Sequence, residues 1–174
     1  MNKKILPSAV FVLSLFVANV LADRAQIVIT ANVMPKTCSI SSATKSFLVN
    51  LVPGNLRGVG VGIPFSYSPF SINLEDCSSN INTAHVTFSG ESDPEMPNLL
   101  KVSSGAGFEA SGIAIGLYNL EKKNIDIRNN LTDYPITHSS AEHGLTFLAA
   151  YLKTRDTALA GKVVGIASFE ITYD

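Results

Sequence analysis

The chain has 174 residues, with 13 basic and 14 acidic side chains and a formal net charge of −1 at neutral pH. This balance argues against a nucleic-acid surface or a membrane-binding face built on excess positive charge. Two cysteines, no tryptophan and short apolar runs separated by Gly and Pro favour one all-β domain, a sandwich or a barrel.

The first 22 residues have the pattern of a signal peptide. Lys3 and Lys4 precede an apolar run, and the small residue Ala22 offers a cleavage site. An uncleaved membrane anchor is the alternative, but Pro7 and Asn19 interrupt the run and make it a poor spanning helix. We therefore predict that residues 1–22 are removed and that the protein is exported.

Residues 23–36 form an extension ahead of the first cysteine. Apolar residues alternate along it, which predicts a strand with one buried face that ends before Pro35. The buried face would carry Ala25, Ile27, Ile29, Ala31 and Val33. No hairpin signal follows the extension, so the strand must pair either with its own domain or with the sheet of another molecule.

The two cysteines, Cys38 and Cys77, are too far apart for a CxxC redox motif, and two cysteines alone do not make a zinc site. An even number of cysteines in an exported chain indicates a disulfide. We predict that this bridge joins the first two strands of the domain.

The rest of the chain, residues 37–174, alternates short strand patterns with turn signals. The glycine-rich residues 58–62 lack the strand and helix that flank a phosphate-binding loop, so we interpret them as a connection. The predicted strands begin at Cys38 and include residues 47–51, 70–74, 86–88, 113–117, 125–127 and 145–151.

The last predicted strand begins at Gly161 and runs to the end of the sequence. Phe169, Ile171 and Tyr173 share one face, and polar residues lie between them. A terminal edge strand leaves backbone groups free to pair with a strand from another molecule.

Together these features resemble the pilin subunits of type 1 fimbriae, which are assembled by the chaperone–usher route. The signal peptide, the alternating extension, the cysteine spacing and the ending Gly161…Tyr173-Asp174 all match. So do the segments S-G-I-A-I-G-L-Y-N and L-T-F-L-A-A-Y. The resemblance implies an incomplete immunoglobulin-like β-sandwich that lacks its seventh strand and is completed by donor-strand exchange.

The resemblance also implies partners and a location. The N-terminal extension would fill the groove of a neighbouring pilin subunit. Before assembly, a periplasmic chaperone would pair with the last strand at Gly161, Phe169, Ile171 and Tyr173. An outer-membrane usher would then export the subunit through the periplasm to a fimbrium on the bacterial cell surface.

One position departs from the family pattern. Pilin extensions usually carry Gly at one inward position, where this chain has Ala31. The extra methyl group needs a slightly deeper pocket in the acceptor. Burying Ile27, Ile29 and Val33 would still contribute roughly 1.5–3 kcal/mol each. The residues alone leave pairing within the domain equally open, and the resemblance is what favours donor-strand exchange.

The hypothesis that the protein is an enzyme has little support in the sequence. His85 lies beside an apolar strand, and we interpret it as a residue at the strand edge and not as a catalytic base. His138 and His143 flank Glu142 in a loop before a strand, without further convergent ligands for a metal or for acid–base chemistry. We predict no catalytic residues, metal or cofactor.

Two classes of function stay open. The first is a structural fimbrial subunit that polymerises and supports cell adhesion. The second is a minor tip or adaptor subunit, or a single-domain adhesin that binds a host receptor. The presence of a donor strand in a one-domain chain favours the structural subunit.

Overall fold

A computed structural model of the chain describes residues 37–103, 110–138 and 141–174. The signal peptide at 1–22 and the extension at 23–36, with its inward series Ala25, Ile27, Ile29, Ala31 and Val33, lie outside the described residues. They stay predictions, as does the domain boundary after residue 36. The described part contains no helix that is long and apolar enough to cross a membrane.

The described residues form nine strands in antiparallel ladders. The strands are β1 (Ser39–Ile40), β2 (Phe65–Glu75), β3 (Thr83–Gly90), β4 (Leu100–Lys101), β5 (Ile113–Tyr118), β6 (Asn124–Ile125), β7 (Thr132–Pro135), β8 (Glu142–Lys153) and β9 (Ala167–Tyr173).

The strands form two sheets. The larger has the order β1-β2-β8-β5-β4, with β6 pairing to β5, and the smaller has the order β7-β3-β9. Long ladders fix the registers of the two sheets. They pair Phe70 with Phe147 in the larger sheet and Phe88 with Phe169 in the smaller one. Because register decides which side chains face inward, these ladders place the apolar series of β2, β3 and β8 in one interior.

The main core lies between the two sheets and is rich in aromatic rings. Phe147 is fully buried, and its ring lies 4.7 Å from that of Phe88, 5.6 Å from that of Phe70 and 5.2 Å from that of Tyr134, between centroids. Aromatic pairs at such distances contribute beyond the area that they bury. The core also contains Ile72, Leu74, Ile81, Val86, Leu117, Leu145 and Ala149.

A second, smaller cluster covers the opposite face of the larger sheet. It contains Leu99, Ala114, Tyr118, Ala150 and Leu152. As a result every residue of β5 is buried, although the sequence alternates large and small residues there. Alternation predicts the strand correctly but does not predict that both faces are covered.

The disulfide between Cys38 and Cys77 is present, as predicted. It joins the residue before β1 to the turn after β2, and those strands pair through Ser39 with Glu75 and Ile40 with Leu74. The bridge therefore anchors the first, very short strand to a long neighbour.

Several sequence-based expectations about strands need correction. Residues 47–51 are not a strand, and among the described residues they have no ladder partner. Strand β7 was not predicted, because its sequence T-D-Y-P lacks apolar alternation and ends in Pro. Glu142 and His143 belong to β8 and not to the loop before it.

The last strand begins at Ala167 and not at Gly161. Its partner β3 ends at Gly90, opposite Ala167, so the preceding residues have no ladder to join. They turn toward the larger sheet instead: the Ser103 N–H donates to the Val164 carbonyl at 2.7 Å. Gly165 passes so close to Ile115 that a Cβ there would lie 2.9 Å from the Ile115 Cδ1.

Candidate functional site

A long apolar groove of about 970 Å³ runs along the sandwich beside the last strand. Residues 45–51, which follow β1, form one part of its lining, and residues 162–169, which lead into β9, form another. Core side chains complete the lining, namely Phe70, Phe88, Leu100, Ile115, Leu117 and Ala149.

The groove side of β9 is an open sheet edge. Among the described residues, β9 pairs with β3 on one side and has no strand on the other. The N–H of Asp174 donates to the carbonyl of Thr83 at 3.2 Å. In an antiparallel ladder alternate residues bond to the same neighbour, so Phe169, Ile171 and Tyr173 direct their backbone groups to the open edge.

The side chains of these three residues pack against the domain's own core. Each is partly buried there, and the Phe169 ring lies 6.5 Å from that of Phe88. The Tyr173 hydroxyl donates to the Cys38 carbonyl at 3.4 Å, and burial raises the pKa of this hydroxyl. A strand that pairs with β9 would therefore form hydrogen bonds with the backbone of these residues, and Phe169 also lines the groove that this strand would enter.

The other lining segment, residues 45–51, is only loosely covered. Leu48 is 81% exposed, and the Phe47 ring lies 6.2 Å from that of Phe70. The segment is held at one end by the N–H of Val52, which donates to Ser68 Oγ at 2.8 Å. A strand-like sequence with exposed apolar side chains fits a segment that a further strand would cover.

Charge is sparse along the groove. Lys45 and Lys162 are the charged side chains among the described residues that line it. Such a surface offers few charged partners to an ionic ligand, but it matches a strand with one apolar face. Each apolar side chain that such a strand buries in the groove makes the free energy of binding more favourable.

Gly161 lies at one end of this region. It lines a smaller cavity of about 320 Å³, and that cavity shares Leu51, Tyr151, Lys162 and Val163 with the groove. Gly161 thus borders the predicted site although it is not part of β9. The sequence does not identify Ile115 and Leu117 of β5 as groove residues, because nothing in an alternating strand distinguishes a core residue from one beside an open groove.

The histidines do not converge on a chemical site. His138 Nε2 lies 2.8 Å from the Ile81 carbonyl. His85 is in β3, the central strand of the smaller sheet, and not at a strand edge. In the described ranges no group of three or more His, Cys, Asp or Glu side chains could hold a metal ion.

Comparison with known proteins gives a consistent result. A sequence model of the family described as "Fimbrial protein" matches residues 27–174. An uncharacterized fimbrial-like protein of Escherichia coli K12, YcbV, is 33% identical over 141 residues, which cover 79% of this chain and 79% of that protein.

Solved structures agree with this match. A type I fimbria protein and antigen of Burkholderia pseudomallei has a TM-score of 0.57 and 28% identity, over 78% of this chain and 88% of that one. The P pilus rod subunit PapA has a TM-score of 0.59 and 21% identity, over 79% of this chain and 99% of that one. The expected fold, an incomplete immunoglobulin-like sandwich, is confirmed.

Proposed function

The chain belongs to the fimbrial protein family, and on that premise we propose that it is a structural subunit of a chaperone–usher fimbria that polymerises by donor-strand exchange. Its groove would receive the extension of a neighbouring subunit, and its own residues 25–34 would fill the groove of the next. The observation that carries the proposal is the apolar groove of about 970 Å³ beside the open edge of β9.

The backbone of β9 supports strand addition. Three consecutive inward residues, Phe169, Ile171 and Tyr173, direct their N–H and C=O groups to the open edge. An incoming strand would satisfy these groups while its apolar side chains cover Ile115 and Leu117. Strand addition therefore combines backbone hydrogen bonds with apolar burial in a single event.

The same edge supports the proposal that a chaperone is involved. An open edge and an apolar groove together invite aggregation in a subunit that waits for assembly. In this proposal a periplasmic chaperone covers the edge until an outer-membrane usher passes the subunit to the fibre. The subunit would then stand on the bacterial surface as part of the fimbrium.

The test is a matched pair of substitutions on the two faces of the extension. Ile29→Asp places a carboxylate on the face predicted to enter the groove, where an unpaired buried ion costs roughly 3–5 kcal/mol. Thr30→Asp adds the same charge on the opposite face. We expect the first variant to be donated to an acceptor subunit more than about a hundredfold less well, and the second to behave nearly as wild type.

Each variant is purified with its chaperone and mixed with an acceptor subunit whose groove is available, and the joined product is followed on gels over time. Chaperone binding should be the same for both variants, because the groove and β9 are unchanged. Equal rates of donation would contradict either the register of the extension or the proposal that it leaves its own domain.

A further inference from the structure

A histidine on the outer face of the smaller sheet lies between two carboxylates from different strands. His85 Nδ1 is 2.7 Å from Asp133 Oδ1 in β7, and His85 Nε2 is 2.8 Å from Asp174 Oδ2, directly after β9. The His85 side chain is 17% exposed, whereas the two carboxylates are 65% and 73% exposed. One imidazole thus bridges all three strands of the sheet.

The two contacts determine the protonation state of the ring. An ionised carboxylate only accepts hydrogen bonds, and a neutral imidazole has a single N–H. Both short contacts can be hydrogen bonds at once only if both ring nitrogens carry a proton. The two carboxylates also lie at opposite nitrogens, so they cannot share one metal ion with the ring.

The surrounding charges favour the same state. The hydrogen bonds to Asp133 and then to Asp174 raise the pKa of His85, while desolvation opposes the rise. Thr172, directly across the ladder from His85, carries no charge. The remaining titratable side chain on this face of β9 is Glu170, opposite Thr87. No basic side chain lies on this face among the described residues of the three strands.

We propose that His85 is a proton-controlled staple, whose imidazolium ties β7 and the end of β9 to β3 and releases them when the ring loses its proton. The end of β9 carries Tyr173, whose backbone faces the open edge. The staple therefore controls how firmly that edge is held. The proposal goes beyond the assembly function and does not depend on how the groove is filled.

The direction of the pH dependence follows from the sign of the shift. A folded pKa above the unfolded value of about 6.5 means that the stabilisation is complete below about pH 6.5. It is lost as the pH rises through the folded pKa. The end of β9 should therefore be held more firmly in mildly acidic than in alkaline solution.

The first test is an NMR titration of the histidine rings in the purified full chain between pH 5 and pH 9. The chain has three histidines, and His85→Gln identifies the signal of His85. We expect this signal to titrate above 6.5 in the wild type. Asp174→Asn should move it downward, whereas Glu170→Gln, a matched loss of charge on the same strand without contact to the ring, should move it much less.

The second test asks whether the proton holds the strand. After correction for the intrinsic effect of pH, hydrogen exchange at the amides of Thr172 and Asp174, which face β3, should speed up above the His85 pKa in the wild type. In the His85→Gln variant it should stay constant. A His85 pKa at or below 6.5, equal shifts for Asp174→Asn and Glu170→Gln, or the same exchange profile in wild type and His85→Gln would each overturn the proposal. Since neither test involves donor strands, these outcomes are independent of the assembly experiment.

Discussion

Removal of the disulfide should lower the free energy of unfolding of the domain, by an amount that depends on the length of the loop that the disulfide closes. Cys38 and Cys77 are separated by 39 positions. For a loop of that length, the chain-entropy relation gives a stabilisation of about 4 kcal/mol at 25 °C. For a domain of this size such a loss lowers the melting temperature by about 8–16 °C. The variant to make is Cys38→Ala with Cys77→Ala, which leaves no free thiol.

The non-covalent contacts near the bridge show why the loss should be large. Strand β1 pairs over only two residues. Beyond it, the N–H of Ser41 donates to the Asn73 carbonyl at 2.8 Å, and the N–H of Asn73 donates to Thr44 Oγ1 at 3.1 Å. Each such bond contributes about 1 kcal/mol, so without the bridge the segment that leads into the groove lining at 45–51 is weakly held.

Urea unfolding followed by far-UV circular dichroism measures the loss, since the chain has no tryptophan to report by fluorescence. Ser39→Ala is the control, because Ser39 is an exposed residue of the same strand and should change the free energy of unfolding by less than about 0.5 kcal/mol. A loss below about 1 kcal/mol in the double variant would refute the reasoning. It would mean that the non-covalent contacts alone hold the first strand.

Two further substitutions test the interior. Phe147→Ala removes a fully buried ring that has three aromatic neighbours within 5.6 Å, so it should cost about 3–5 kcal/mol in urea unfolding; a loss below about 2 kcal/mol would contradict this packing. The Asn130 amide donates to the carbonyls of Phe88 and Asp126 and accepts from the N–H of Phe88, all at 2.8 Å. Asn130→Asp turns the donor into an acceptor and should cost about 1–3 kcal/mol by the same measurement, and an unchanged value would show that the network contributes nothing.

Much of the sandwich could be predicted from period-two alternation. Strands β2, β3, β5 and β8 each place large apolar residues on the face toward the main core, and the sequence shows that period directly. Strand β7 could not be predicted in this way. Its place depends on pairing with residues 83–86 of β3, a tertiary contact that leaves no apolar period in T-D-Y-P.

The groove was harder to predict than the strands. The sequence indicates that the last strand is an edge, but it does not show where the ladder stops. That limit is set by the end of β3 at Gly90 and by the Ser103–Val164 hydrogen bond. Residues 47–51 have a strand sequence without a strand structure, because strand geometry needs a neighbour as well as a propensity.

The site and the core of this protein share the same residues. Phe88, Ile115, Leu117 and Ala149 belong to the main apolar cluster and also line the groove. A strand that enters the groove therefore completes the core, and its binding energy is also folding energy. Three buried aliphatic side chains at roughly 1.5–3 kcal/mol each are comparable with the 5–15 kcal/mol that is typical of a whole domain. In the part of the chain that the structure describes, the functional site is a sheet edge beside an apolar groove, and residues 25–34 stay the predicted occupant of a neighbouring subunit's groove.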